Sequence, residues 1–211
     1  MAPYSIKILP VGQLSTNCYV VWDRGTLDAM IIDPGDDAEY ISETLTKLKV
    51  YPRCIIATHG HFDHILSVFA LESMYNLPFF INRKDDFLLT SMKKSATYYL
   101  HVPSVDPPPK NPQSLQDGQT ISLGSSVFTV IATPGHTPGS ICLYEPKHKV
   151  LFTGDTIFAD GAVGRTDRSY GNRTELEDSL KRICTLPPDT AIFPGHGSAS
   201  TIGSERKFHV V

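Results

Sequence analysis

Apolar and polar residues alternate in short runs along the first third of the chain, and turn residues separate the runs. Segments 6–11, 18–22 and 29–33 are rich in branched and aromatic side chains, which predicts strands. Asp33-Pro34-Gly35 then makes a turn, and Asp36 or Asp37 is placed to cap a helix to about Leu48, with Tyr40, Ile41, Leu45 and Leu48 at helical spacing. Residues 53–57 form an apolar strand that leads straight into Thr58-His59-Gly60-His61-Phe62-Asp63-His64. A helix over 65–75, a strand at 79–81 and a helix near 84–91 follow. Residues 102–118 are proline-rich and read as an extended surface connector.

Beyond this connector the same order returns. Segments 120–123, 127–132, 140–144 and 150–153 read as strands. A helix is expected over 174–186, with Leu176, Leu180 and Ile183 on one face, and a last strand over 191–193. No sequence repeat is visible, yet both halves run from strands to helix. Two mixed sheets packed face to face with helices outside accommodate this pattern.

The length of 211 residues suits one sizeable domain spanning 1–211, with enough chain for a substantial core. The net charge of −3 and the lack of any basic run speak against a nucleic-acid surface. No run is long and apolar enough for a membrane span, and the N-terminus lacks the pattern of a secretory leader. Cys18, Cys54, Cys142 and Cys184 are scattered without a C-x-x-C pair, which fits buried free thiols in a reducing, cytoplasmic setting.

Candidate chemistry lies in four segments of common layout, in which a strand ends and a turn with Gly or Pro presents His or Asp. They contain His59, His61, Asp63 and His64, then His136, then Asp155, then His196. Strand ends are rigid and the following turns are accessible, so these side chains can share one rim. His59 and His61 are two apart and point to the same side of an extended stretch. Four ligand-type residues within six positions crowd a single tetrahedral ion, and two adjacent ions divide them more naturally. A lone H-x-H is ordinary in surfaces and cores; H-x-H-x-D-H followed by three further such turns is not. His101, His148 and His209 lack this context, and His148 reads as a solvated hairpin tip. The G-x-S-x-G elbow, the P-loop, H-E-x-x-H and the H-x-E with P-C-x-x-C deaminase pattern are all absent.

Together with Pro134–Ser140, Phe152–Phe158 and Pro194–Gly197, the His59–His64 segment resembles the metallo-β-lactamase superfamily along essentially the whole chain. Gly164-Arg165-Thr166-Asp167 and Ser200–Glu205 are similar to segments of its short glyoxalase II-like subgroup, which consists of the catalytic domain alone. The resemblance implies an α/β, four-layered αββα sandwich. It implies that His59, His61 and His136 bind one metal, that Asp63, His64 and His196 bind a second, and that Asp155 bridges them. Two divalent ions are expected, zinc first, with iron or manganese as alternatives for an all-nitrogen-and-oxygen ligand set. The implied activity is hydrolysis of a small-molecule thioester, S-lactoylglutathione-like, by a metal-bridging hydroxide, with Asp63 both binding metal and orienting that hydroxide.

The chain departs from the full-length glyoxalase II pattern by ending soon after His196, without the helical extension that helps to bind glutathione, and by carrying Arg165 and Asp167 where those enzymes resemble G-K-x-Y. Arg165, Tyr170 and Asn172 are the candidate substrate contacts. Arg165 and Asp167 read equally well as an internal ion pair. Two rivals stay open. One is a persulfide dioxygenase with a single iron on His59, His136 and Asp155; the other is a non-catalytic metal-binding module. A β-lactamase is disfavoured by the carboxylate at 155.

Overall fold

The computed structural model describes residues 2–209. The first half of the chain builds a six-stranded sheet from β1 (Tyr4–Val11), β2 (Thr16–Asp23), β3 (Asp28–Ile32), β4 (Tyr51–Ile56), β5 (Phe79–Ile81) and β6 (Gln113–Ser114), in that spatial order. The β1–β2 and β2–β3 pairs are antiparallel, and β3 through β6 run parallel. The second sheet runs β7 (Thr120–Leu123), β8 (Ser126–Ala132), β9 (Ile141–Glu145), β10 (Val150–Gly154), β11 (Ala191–Pro194) and β12 (Ser200–Thr201). Only its β10–β11 pair is parallel. Helices α1 (Ala38–Leu48), α2 (Val68–Tyr75) and α3 (Asp86–Leu100) cover the first sheet, and α4 (Arg173–Ile183) and α5 (Ile202–His209) cover the second.

The period of two along each strand sorts side chains into separate layers. From β2 and β3, Cys18, Val20, Ala29 and Ile31 face the helices of the first half, while Tyr19, Val21, Met30 and Ile32 face the other sheet. From β8 to β10, Val130, Leu143 and Phe152 meet them between the sheets, while Ile131, Cys142 and Leu151 face α4 and α5. These strands are buried on both faces, which is why they read as near-continuous apolar runs. The result is the four-layered αββα sandwich. A fully buried ring such as Phe128 or Phe152 contributes about 1.5–3 kcal/mol by leaving water.

Several elements differ from the sequence expectation. Asp37 precedes α1 with φ 55° and makes no side-chain cap, because its carboxylate accepts from the Gly12 N–H at 2.9 Å instead. Tyr40 is exposed, so the buried stripe of α1 is carried by Ile41 and Leu45. The helix expected from residue 65 begins only at Val68, after a single 3₁₀ turn at Phe62–His64. Helix α3 runs nine residues beyond the expected end at Ser91, since Leu88, Leu89, Met92 and Ala96 keep the helical apolar spacing. Residues Gln113–Ser114 of the connector add an edge strand, and Leu115 anchors it in the inter-sheet core. Strand β12 and helix α5 were not expected. His148 is not a solvated tip, because its Nδ1 meets Glu145 Oε2 at 2.9 Å and its ring lies edge-on to Tyr4. Among the described residues no helix is long and apolar enough to cross a membrane.

At one edge the two sheets are hydrogen-bonded to each other. Asn17 N donates to Gly195 O (2.7 Å), Ile141 N to Thr58 O (2.8 Å), and the Tyr19 hydroxyl to Pro194 O (2.6 Å). Asn17 Nδ2 donates to both Pro194 O and Gly197 O.

Candidate metal centre

All seven ligand-type residues converge at this stitched edge, each delivered by the turn after a strand. His59, His61, Asp63 and His64 follow β4, and Asp155 follows β10 directly. His136 lies between β8 and β9, and His196 follows β11. His59, His61, His136 and Asp155 place one ligand-type atom each within 4.8 Å of one another, and Asp63, His64 and His196 form a second such group. Asp155 lies between the groups, with Oδ2 3.5 Å from His136 Nε2 and 3.8 Å from His196 Nε2, and Oδ1 3.5 Å from His64 Nε2. Gly195 permits this approach, since a Cβ there would stand 2.3 Å from Asp155 Oδ1.

Outer partners set the ring orientations. His136 Nδ1 donates to Arg165 O at 2.8 Å, and His59 Nδ1 faces the Thr58 hydroxyl at 3.2 Å. The Nε2 lone pairs of both rings therefore point at His61 Nδ1, each at 2.9 Å. His61 turns its other nitrogen to the Tyr170 hydroxyl, also at 2.9 Å. His64 Nδ1 donates to Asp33 Oδ2 at 3.0 Å, which leaves Nε2 bare and aimed into the second group. His196 Nδ1 meets Leu14 O at 3.2 Å.

The electrostatics of the two groups differ. Burial, reinforced by the neighbouring imidazoles, pushes His59 well below its usual value and His61 down to about 3. These rings are held neutral, the form that binds metal. Burial also works to lower His64, but Asp155, Asp33 and Asp63 outweigh it and push the ring up to about 10. Burial works to raise the Asp63 carboxyl, but His64 and His196 hold it well below the ordinary carboxylate range. Carboxylates around a bare imidazole nitrogen call for a positive charge between them, which a proton or a metal ion supplies.

The donor set fits a pair of divalent ions. His64 Nε2 and Asp155 Oδ1 are buried without a hydrogen-bond partner, an arrangement that native interiors avoid unless another group completes it. Two ligand atoms about 2.1 Å from one ion in tetrahedral geometry stand roughly 3.4 Å apart. The 3.4 Å between His196 Nε2 and Asp63 Oδ2 and the 3.5 Å contacts of Asp155 match that spacing better than a hydrogen bond.

Two buried carboxylates that the sequence did not single out tie the site together. Asp33 accepts from Thr58 N and the Thr58 hydroxyl, both at 2.7 Å, besides His64. Asp85 accepts from Gly60 N (2.8 Å), Gly139 N (2.7 Å) and the Thr137 hydroxyl (2.7 Å). It thereby joins the turn carrying His59 and His61 to the turn carrying His136. Such outer partners fix ligand orientation.

The groups open into a cleft of about 850 Å³, with His61, Asp63, His136 and Asp155 in its lining. One face of α3, including Phe87, Leu88, Met92 and Tyr99, forms an apolar wall, of which Met92 and Tyr99 lie beyond the helix end expected from the sequence. Of the expected substrate contacts, Tyr170 and Arg165 line the cleft. Arg165 is paired with Asp167 through two contacts of 2.6 and 2.7 Å, so the internal ion pair is what the structure contains. Asn172 does not reach the cleft, because its side chain caps α4 by accepting from Glu175 N.

The family model for the metallo-beta-lactamase superfamily matches residues 11–196. The chain belongs to that superfamily. Among its members, the hydroxyacylglutathione hydrolase GloC of Haemophilus influenzae is 35% identical over 205 residues, covering 96% of this chain and 95% of its own. The crystal structure of BLEG-1 B3 metallo-beta-lactamase superposes with a TM-score of 0.87 at 34% identity, covering 98% of both chains. TTHA1623, solved in a di-iron-bound form, gives the same TM-score at 32% identity and covers 97% of this chain and 98% of its own. These superfamily likenesses support the fold, a metal-dependent hydrolase and the glyoxalase II-like subgroup.

Proposed function

We propose that the chain is a dinuclear-metal hydrolase that cleaves thioesters of the S-lactoylglutathione type. The observation that carries the reading is the placement of the Asp155 carboxylate between two ligand groups, in the lining of an accessible cleft. In this reading His59, His61 and His136 hold one ion, Asp63, His64 and His196 hold the other, and Asp155 contacts both. Zinc is the first choice of metal, and the di-iron form of TTHA1623 keeps iron in view. When bound, such ions supply a hydroxide at neutral pH and polarise a carbonyl.

The chain's own residues do the rest. Asp63 accepts from the Thr16 hydroxyl at 3.3 Å, which fixes one carboxylate oxygen and lets Asp63 orient a nucleophilic water. Tyr170 braces the outer nitrogen of His61 at the mouth of the cleft. The α3 wall offers the substrate an apolar surface along the cleft. A cytoplasmic setting belongs to the same proposal, on the scattered, unpaired cysteines.

The test is metal quantification on the purified protein, combined with a panel of thioesters that vary in acyl group and thiol and with a β-lactam arm. Two ions per chain with thioester turnover support the reading. One iron per chain with oxygen uptake and sulfite formation identifies the persulfide dioxygenase instead. Metal without turnover of any substrate leaves the non-catalytic module.

A further inference from the structure

The chain leaves the metal groups at Asp155 and returns to them at Arg165. Between these points it makes a tight hairpin, in which Ile157 bridges Val163 and Phe158 N donates to Ala162 O at 2.9 Å. The hairpin ends on a ligand-type residue, because Arg165 O accepts from His136 Nδ1 at 2.8 Å. Gly164 is packed against the same residue, whose Cβ stands 2.9 Å from where a side chain on Gly164 would begin. Asp85 fixes the turn that carries His136, but the angle of the ring depends on where this hairpin holds Arg165 O.

The tip of the hairpin does not support itself. Asp160 and Gly161 stand at φ 59° and 78°, two successive left-handed residues of which one carries a side chain. Such a conformation persists where the surroundings hold it. Both N–H groups donate to one carboxylate on α5: Glu205 Oε1 takes Asp160 N at 3.3 Å, and Oε2 takes Gly161 N at 2.7 Å. Glu205 is 2% exposed, it makes no salt bridge among the described residues, and its third donor is the Ser200 hydroxyl. A carboxylate buried in this way is costly without such donors, so Glu205 and the tip depend on each other. On the same face of α5, Phe208 covers the tip, with its Cγ 2.7 Å from where a side chain on Gly161 would begin. No described residue of α5 belongs to either ligand group or lines the cleft.

We propose that Glu205 is a positioning residue for His136. From α5 it latches the hairpin, and the hairpin presents Arg165 O to His136 Nδ1, which turns Nε2 into the first ligand group. The action passes through a backbone carbonyl and not through contact with a ligand. The part of the proposal that concerns metal affinity rests on the two-ion reading above; the part that concerns ring orientation does not.

The first measurement needs no metal. Nitrogen-15 spectra of the histidine rings in chelator-treated protein report the His136 Nδ1 proton, assigned by its loss in His136→Gln, and its exchange with water is followed. Exchange should quicken about tenfold in Glu205→Gln, the scale of one lost hydrogen bond, and by less in Phe208→Ala, which keeps the carboxylate. The second measurement is stepwise metal competition against a chromophoric chelator. Affinity for the ion that is lost in His136→Gln should fall about tenfold in Glu205→Gln, with a smaller change for the ion that is lost in His64→Gln. A structural role alone would lower the Tm and leave both the His136 proton and the affinities at their wild-type values, which would overturn the proposal. Faster exchange with unchanged affinity in a protein that binds two ions would overturn it as well. Should Glu205→Gln fail to fold, Phe208→Ala decides, and wild-type exchange and affinity there would refute the latch. Faster exchange at His136 in a protein that binds no pair of ions would keep the latch and sink the two-ion reading, so the two failures are told apart.

Discussion

Asp33→Asn should weaken binding of the second metal ion while leaving the fold in place. Asp33 is buried at φ 50°, a left-handed conformation that Asn tolerates. Its Oδ1 accepts from Thr58 N at 2.7 Å, and its Oδ2 accepts from the Thr58 hydroxyl at 2.7 Å and from His64 Nδ1 at 3.0 Å. An asparagine that keeps its oxygen on Thr58 N must turn its amide hydrogens towards the Thr58 hydroxyl and His64 Nδ1. His64 then has to accept at Nδ1, so its proton moves to Nε2 and points into the ligand group. The opposite amide rotamer spares His64 but sets the amide hydrogens against Thr58 N–H, leaving a buried donor unpaired at a cost of about 1–3 kcal/mol. Either route opposes metal binding by about 2 kcal/mol, or roughly thirtyfold in affinity, within the range of effects known for outer partners of metal ligands. The assay is competition of the metal-free protein against a chromophoric chelator, with metal content measured after dialysis. Two ions bound at wild-type affinity in a folded Asp33→Asn would refute the tautomer argument and the placement of His64 in the site.

Alanine at Asp155 or His61 should abolish both metal retention and thioester turnover while the protein stays folded; full turnover in either variant refutes the site. In chelator-treated protein, urea stability should peak near pH 6.5. His61 is depressed to about 3, so its contribution grows as pH rises from there to the ordinary 6.5, whereas His64 is raised to about 10, so its contribution is lost as pH rises from 6.5 through 10. A flat profile from pH 4 to 10 would contradict these environments. Asn172→Ala should lower stability by about 1 kcal/mol through loss of the α4 cap, read as a drop in Tm, and leave substrate KM unchanged.

The ligand-type residues were legible because each of their four segments follows an apolar strand and contains Gly or Pro, a local pattern that needs no long-range information. The αββα layering was legible from the strand-to-helix order of each half together with the superfamily resemblance. Asp33 and Asp85 were not recognisable as site residues. Asp33 looked like turn punctuation before Pro34, and Asp85 sits in Arg83-Lys84-Asp85-Asp86, which looks like solvated surface. What gives Asp85 its role is contact with Gly60, Thr137 and Gly139, and no local window contains them all. Asn172 misled in the other direction: a polar residue near the site was read as a substrate contact when its position before α4 already accounted for it. The hold of Glu205 on Asp160 and Gly161 likewise joins residues far apart in sequence.

The inter-sheet hydrogen bonds made by Asn17, Tyr19 and the Ile141 and Thr58 backbones lie on the rim that carries the histidines. Peeling that rim apart would expose Asn17, Tyr19 and Thr58 and open the inter-sheet core, in which Tyr19 packs on Phe152. Local breathing therefore starts elsewhere, at the short outer strands β6 and β12, which have two residues each. The histidine-bearing turns come loose only when the sandwich itself does, so their spacing is set by cooperative folding before any ion arrives.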